Sequence, residues 1–101
     1  MSTEKKTSST TGVKTKIQPP SLYKVIMHND DYTTMEFVVH ILQKVFNKTS
    51  NEAYRIMMII HRSGSAVCGI YPHAIAETKI AEVEHEAQAN DFPLNCSMEK
   101  N

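Results

Sequence analysis

The sequence predicts an α+β domain of order βααβαβ, in which a small antiparallel sheet packs against three helices behind a disordered N-terminal arm. Three observations carry this expectation. Apolar residues recur at helical spacing in three stretches, and short β-rich runs bounded by Gly, Pro or Asn-Asp clusters separate them. The helical stretches are not in regular alternation with strands, because two of them fall between the first and second strand; this favours a compact mixed domain with helices on one face of its sheet. A chain of 101 residues encloses one modest hydrophobic core, so we expect an extension over residues 1–18 and a single folded unit over 19–101.

Residues 1–18 are dominated by Ser, Thr and Lys and hold too little apolar surface to offset the entropy of ordering. Pro19-Pro20 stiffens the chain and marks the boundary. From Tyr23 to His28, Tyr, Val and Ile alternate with Lys24 and then meet the turn-formers Asn29-Asp30-Asp31, which reads as a strand running into a loop. Thr33 and Glu36 form a T-x-x-E capping box, placing a helix start near Thr34. Its stripe is Val38, Ile41, Leu42 and Val45, widened by Met35, Val39 and Phe46, and the helix is expected to end near Asn47.

A second box, Thr49 and Glu52, opens the next helix, whose Ala53, Ile56, Met57 and Ile60 share a face until Gly64 stops it. Ser65 to Tyr71 is short, holds Val67, Cys68, Ile70 and Tyr71, and lies between Gly64 and Pro72; it reads as a strand with a bulge or a close packing point at Gly69. Pro72 is suited to the first position of a third helix. There Ala76, Ile80, Val83 and Ala87 keep helical spacing while Glu77, Glu82, Glu84 and Glu86 face water. Asp91-Phe92-Pro93 ends it, and Leu94 to Met98 closes the sheet.

Composition excludes several classes. The longest apolar run, Ile56 to Ile60, is far short of a bilayer span, and the N-terminus lacks a signal-peptide stretch, so a cytoplasmic, membrane-free protein is expected. The net charge of zero is uneven: residues 1–16 carry +3 and the remainder −3. An acidic body argues against nucleic acid, whose backbone is held by clustered Lys and Arg. Cys68 and Cys96 lack CxxC spacing and read as buried free thiols, a cross-strand disulfide being the alternative.

The residues able to carry recognition are Asn29, Asp30 and Asp31, where a strand feeds a capped helix, and His61, at the border of the second helix's apolar face. One reading is an Asx-rich turn beside an ordinary edge-of-core histidine. The other is that loop and helix end meet, and two carboxylates, an amide and an imidazole surround one point. Acceptors dominate that set, so it suits an ammonium group such as a free α-amine. A divalent metal is a competing ligand, with His28 as a further donor, but Asn29-Asp30-Asp31 matches neither the EF-hand spacing nor HExxH. Neither a GxSxG elbow nor a Gly-rich phosphate loop occurs, so no enzyme, metal or cofactor is expected. Met27, Met35, Met57 and Met58 read as core filling, or as an adaptable lining for several large side chains.

Residues 19 to about 100 closely resemble the ClpS adaptors of bacteria, through Pro19-Pro20-Ser21-Leu22-Tyr23-Lys24-Val25-Ile26, Asn29-Asp30-Asp31-Tyr32-Thr33, Met35-Glu36-Phe37-Val38, His61, Ala66-Val67-Cys68-Gly69, Ala76-Glu77-Thr78-Lys79 and Pro93-Leu94. The resemblance implies an adaptor that binds proteins with a large hydrophobic first residue (Leu, Phe, Tyr or Trp) and delivers them to a Clp AAA+ unfoldase, ClpA-like or ClpC-like, docking on its N-terminal domain as a monomer. It further implies that Asn29, Asp31 and His61 hold the α-amino group with Asp30 supporting the loop. Thr33, Met35, Val38, Met57, Ile60 and Leu94 would line the side-chain pocket, with Met35 a gate against β-branched residues. The alternative is a ClpS-like regulator that docks only to inhibit or redirect the unfoldase.

Three departures stand out. Thr34 occupies a position where Pro is common. His28 replaces an apolar residue, so a more polar, pH-sensitive pocket rim is expected. Pro72-His73-Ala74 alters the start of the third helix, a region that with Glu77 and Lys79 is implied in unfoldase docking.

Overall fold

The computed structural model describes residues 19–101; the arm expected over 1–18 lies outside the described residues. Six elements follow in the expected order: β1 (Leu22–His28), α1 (Met35–Lys44), α2 (Ser50–Ser63), β2 (Ser65–Pro72), α3 (His73–Ala89) and β3 (Asn95–Lys100). The sheet is antiparallel with β1 in the middle, in the order β2-β1-β3. Strand alternation turns Val25 and Met27 of β1 inward with Cys68 of β2 and Cys96 of β3, where they meet Phe37, Val38, Ile41 and Leu42 of α1, Met57 and Ile60 of α2, and Val83 of α3 in one core.

Gly69 does mark a bulge. Val25 pairs with Gly69 but Ile26 with Val67, so Cys68 is the extra residue, and the kink sends its side chain into the core at 1 % exposure. Gly69 is also a close packing point, since a Cβ there would collide with the Tyr71 phenol, 2.6 Å from its Cζ.

The closing strand begins one residue later and ends two later than the expected Leu94–Met98, and three helix boundaries differ from expectation, each for a local reason. Thr34, not Thr33, caps α1, its Oγ1 accepting from the Phe37 amide at 3.1 Å; Thr33 belongs to the preceding loop because Asp30 takes both its amide and its hydroxyl. α1 proper ends at Lys44. Asn47 at φ 55° then turns the chain, with Lys48 N donating to Leu42 O at 3.1 Å. Pro72 is the last residue of β2 and the N-cap of α3, with extended backbone at ψ 155°, rather than its first helical residue. Elsewhere the expected signals hold. Thr49 and Glu52 form the reciprocal box at the head of α2, and Gly64 closes that helix at φ 97°. α3 ends in a Schellman turn, with Asp91 left-handed at φ 60°, Asp91 N on Gln88 O and Phe92 N on Ala87 O. Phe92 thereby packs at a tilt against Phe37 of α1, ring centroids 4.8 Å apart.

Candidate functional site

The loop between β1 and α1 is built by one side chain. Asp30 Oδ1 accepts from the amides of Tyr32 and Thr33 at 2.8 and 2.7 Å, and its Oδ2 from the Thr33 hydroxyl at 2.7 Å. This Asx-type turn reverses the chain and delivers Thr34 to the head of α1. Partial burial pushes the Asp30 carboxyl upward, but the bonds from Thr33 and Tyr32 outweigh it and hold the group below its usual range. The carboxylate is therefore committed to the loop.

A second tie joins this loop to α2. The amide of Asn29 donates to the carbonyl of Gly64 at 2.9 Å, while His28 pairs with Ser65 at the end of the β1–β2 ladder. Gly64 follows directly on the last turn of α2, so the bond fixes that turn, and His61 with it, beside Asn29. The meeting of loop and helix end that the sequence left open is a feature of the fold.

Between them lies a cavity of about 260 Å³ lined by Asn29, Asp30, Asp31, Thr33, Met35, Val38, Met57, Ile60 and His61. All four residues of the expected amine site, Asp30 as loop support included, are there, with five of the six expected in the apolar pocket. The lining is divided by chemistry: the β1–α1 loop and His61 supply acceptors, whereas α1 and α2 supply thioether and aliphatic side chains. No Lys or Arg lines it. With Asp30 committed, the acceptors free to face a ligand are Asn29, Asp31 and His61, all exposed. Met35 is 44 % exposed at the mouth, while Met57 and Ile60 are buried behind it. The volume is slightly below the usual range for ligand pockets and is enough for one large side chain.

The remaining expectations fall elsewhere. Leu94 is buried at 3 % and borders a different cavity, with Glu84, Ala87, Gln88 and Phe92; it does not line this one. His28 is not part of the rim either. Strand alternation turns it to the opposite face of the sheet from Met27, where its Nε2 lies 2.7 Å from Ser97 Oγ. On α3, Ala74 and Glu77 are exposed, and Glu77 lies 3.6 Å from His73 across one turn. Lys79 is engaged within the fold: its Nζ donates to Val45 O at 2.8 Å, satisfying a carbonyl at the end of α1, and sits 5.8 Å over the Tyr71 ring. Both cysteines are free and buried.

Sequence reasoning missed Gly64 as a site residue. It read as a helix stop, yet its carbonyl is what positions the loop, and no local pattern signals so distant a partner. Also missed was a groove of about 560 Å³ that runs on from the cavity between α1 and α2, sharing Met35 and Met57 and adding Val39, His40 and Tyr54. Among the described residues no group of three or more His, Cys, Asp or Glu is placed to hold a metal, and no helix is long and apolar enough to cross a membrane.

Residues 18–97 match the family model described as ATP-dependent Clp protease adaptor protein ClpS. Proteins described as ATP-dependent Clp protease adapter protein ClpS are similar over most of their length. The one from Shewanella loihica is 53 % identical over 86 % of this chain and 85 % of its own, and the one from Caulobacter vibrioides 52 % identical over 92 % and 85 %. A solved structure of Agrobacterium tumefaciens ClpS2 bound to L-phenylalaninamide superimposes with a TM-score of 0.79 at 42 % identity, covering 82 % of this chain and all of that one.

Proposed function

The chain belongs to the ClpS family of Clp protease adaptors, and from that premise we propose that it binds proteins whose first residue is Leu, Phe, Tyr or Trp and delivers them to a Clp AAA+ unfoldase for degradation. The observation that carries the reading is the division of the 260 Å³ cavity into an acceptor-rich end and an apolar end. A free N-terminus presents an ammonium group one Cα away from its first side chain, and the two ends match those two groups. L-phenylalaninamide, the ligand of the similar ClpS2 structure, has the same pairing of α-amine and large side chain.

Asn29, Asp31 and His61 accept from the ammonium, and Asp30 acts through the loop it holds. Thr33, Met35, Val38, Met57 and Ile60 enclose the side chain. Burying a Leu or Phe side chain contributes about 1.5–3 kcal/mol, and each hydrogen bond to the charged amine about 1.5–3 kcal/mol. Association costs about 4–15 kcal/mol; the apolar half alone falls short of that cost and the amine half offsets only part of the range, so the site reads residue identity and a free amine together. Met35 at the mouth crowds a substituent on Cβ and so selects against Ile and Val; Met35→Ala should admit both.

The exposed start of α3, with Ala74 and Glu77, is the surface we assign to the unfoldase's N-terminal domain, Lys79 setting its frame through Val45 and Tyr71. We place the activity in the cytoplasm, in keeping with two free thiols, and in a monomer. The test is degradation of a reporter beginning with Leu, Phe or Val by a Clp unfoldase–peptidase pair, with and without this chain. Acceleration of the Leu and Phe reporters alone is expected; equal acceleration of all three, or of none, contradicts the proposal.

A further inference from the structure

We propose that Met35 is a redox modification site, at which oxidation of its thioether by a peroxide switches off recognition of the N-terminal side chain. This rests on the reading of the cavity as that side chain's pocket. The sequence holds six methionines, and five lie among the described residues. Met27 and Met57 are buried at 0 and 4 %, Met58 and Met98 are partly buried, and Met35 alone is exposed, at 44 %. Oxidation follows access, so Met35 is the first of these to react.

Its place gives the reaction a consequence. Met35 is the first residue of α1 and, with the buried Met57, lines both the 260 Å³ cavity and the groove that continues from it, so it is the exposed part of the partition between the two. Its backbone is fixed by the Thr34 cap one residue before, whereas its unbranched side chain keeps three rotatable bonds. In the reaction, the sulfur lone pair attacks one peroxide oxygen, the O–O bond breaks, and hydrogen peroxide leaves as water with one oxygen bound to sulfur. The sulfur is oxidised by two electrons and the peroxide reduced by two. The sulfoxide is a strong acceptor facing an apolar side chain. Seating Leu or Phe then strips water from that oxygen without replacing it, since the apolar lining nearby, Val38, Met57 and Ile60, offers no side-chain donor.

The loss is reversible in principle, because methionine sulfoxide is a substrate for sulfoxide reductases. Structural damage is not expected. Met35 takes no part in the buried core, and the most exposed thioether reacts while the fold is intact.

The test begins with the affinity of the untreated full chain for a labelled peptide starting with Phe; absence of binding at this step would refute the adaptor reading and not the oxidation itself. Graded hydrogen peroxide follows, with peptide mass spectrometry to locate the added oxygen and the same titration repeated. Expected are a single +16 Da addition on Met35 before any other methionine of residues 19–101, an affinity loss of about tenfold, and recovery with methionine sulfoxide reductases. Met35→Leu should show no peroxide-dependent change from its own starting affinity. Unchanged affinity of a protein oxidised stoichiometrically at Met35, or prior oxidation of Met58 or Met98, overturns the proposal.

Discussion

Replacing Asp30 by alanine removes three hydrogen bonds at once, those from Tyr32 N at 2.8 Å, Thr33 N at 2.7 Å and Thr33 Oγ1 at 2.7 Å. Each is worth about 0.5–1.5 kcal/mol net, taken at the low end because the carboxylate is partly solvated, so the loop loses about 1.5–3 kcal/mol of order. A ligand must restore that order when it binds, which appears as roughly a 10- to 100-fold loss of affinity. The helices and sheet do not depend on these bonds, so the cooperative unfolding transition should move by less than the binding does. Asp30→Asn should be milder. Its Oδ1 still accepts both amides, and the Thr33 hydroxyl can rotate to accept from the new NH₂.

The direction of the pH effect is fixed. The folded carboxyl lies below its usual value of 3.8, so its contribution is complete above that value and is lost as pH falls through the lower folded one. Affinity should show no Asp30-dependent change between neutral pH and pH 5. Fluorescence anisotropy with a Phe-initiated peptide, alongside urea unfolding, measures both quantities. A folded Asp30→Ala protein that binds within twofold of the parent would refute the reasoning.

Gly64→Ala forces an L-residue to φ 97° at a cost of about 1–2 kcal/mol; since Gly64 O holds the Asn29 amide, peptide affinity should fall together with the urea midpoint, and loss of stability alone would disconnect the two. Gly69→Ala drives a Cβ into the Tyr71 phenol and should cost about 1–3 kcal/mol in urea unfolding with affinity unchanged, because neither residue lines the cavity. The Cys68 thiol is pushed by burial from its usual 9.0 up to about 12, and burial pushes Cys96 up as well. At pH 8 neither should react with a thiol reagent until the chain unfolds. With the folded value raised, stability is intact below pH 9 and declines as pH rises towards 12, because the unfolded thiol ionises first; rapid labelling of the native protein would contradict this.

Much of the fold was legible because local chemistry and tertiary packing agree. Thr49 and Glu52 signal a helix start that nothing else competes for, and the box forms as written. At α1 two consecutive threonines offer a cap, and the choice falls to Thr34 because Asp30, three residues before Thr33, captures Thr33 first. That competition is a contest between two similar hydrogen-bonding options and is settled only by the turn as a whole. His28 was misplaced for a reason the sequence does contain: Val25 and Met27 face inward, so strand alternation already sends His28 outward to Ser97. Leu94 lies in the irregular connection just before β3, where no periodicity indicates which cavity it borders.

The proposed amine site was half legible. Asn29, Asp31 and His61 are residues of the right chemistry, but their convergence depends on the Asn29–Gly64 backbone bond, between residues 35 positions apart whose side chains play no part in it.

The central claim is that this cavity reads a free α-amine and a large side chain unbranched at Cβ together. It is tested most directly by titrating the protein with three labelled peptides identical but for their start: free Phe, N-acetylated Phe and free Val. Tight binding of the first, with at least tenfold weaker binding of the other two, is the predicted result. Equal affinity for the free and acetylated Phe peptides would show that Asn29, Asp31 and His61 hold no amine, and would contradict the account.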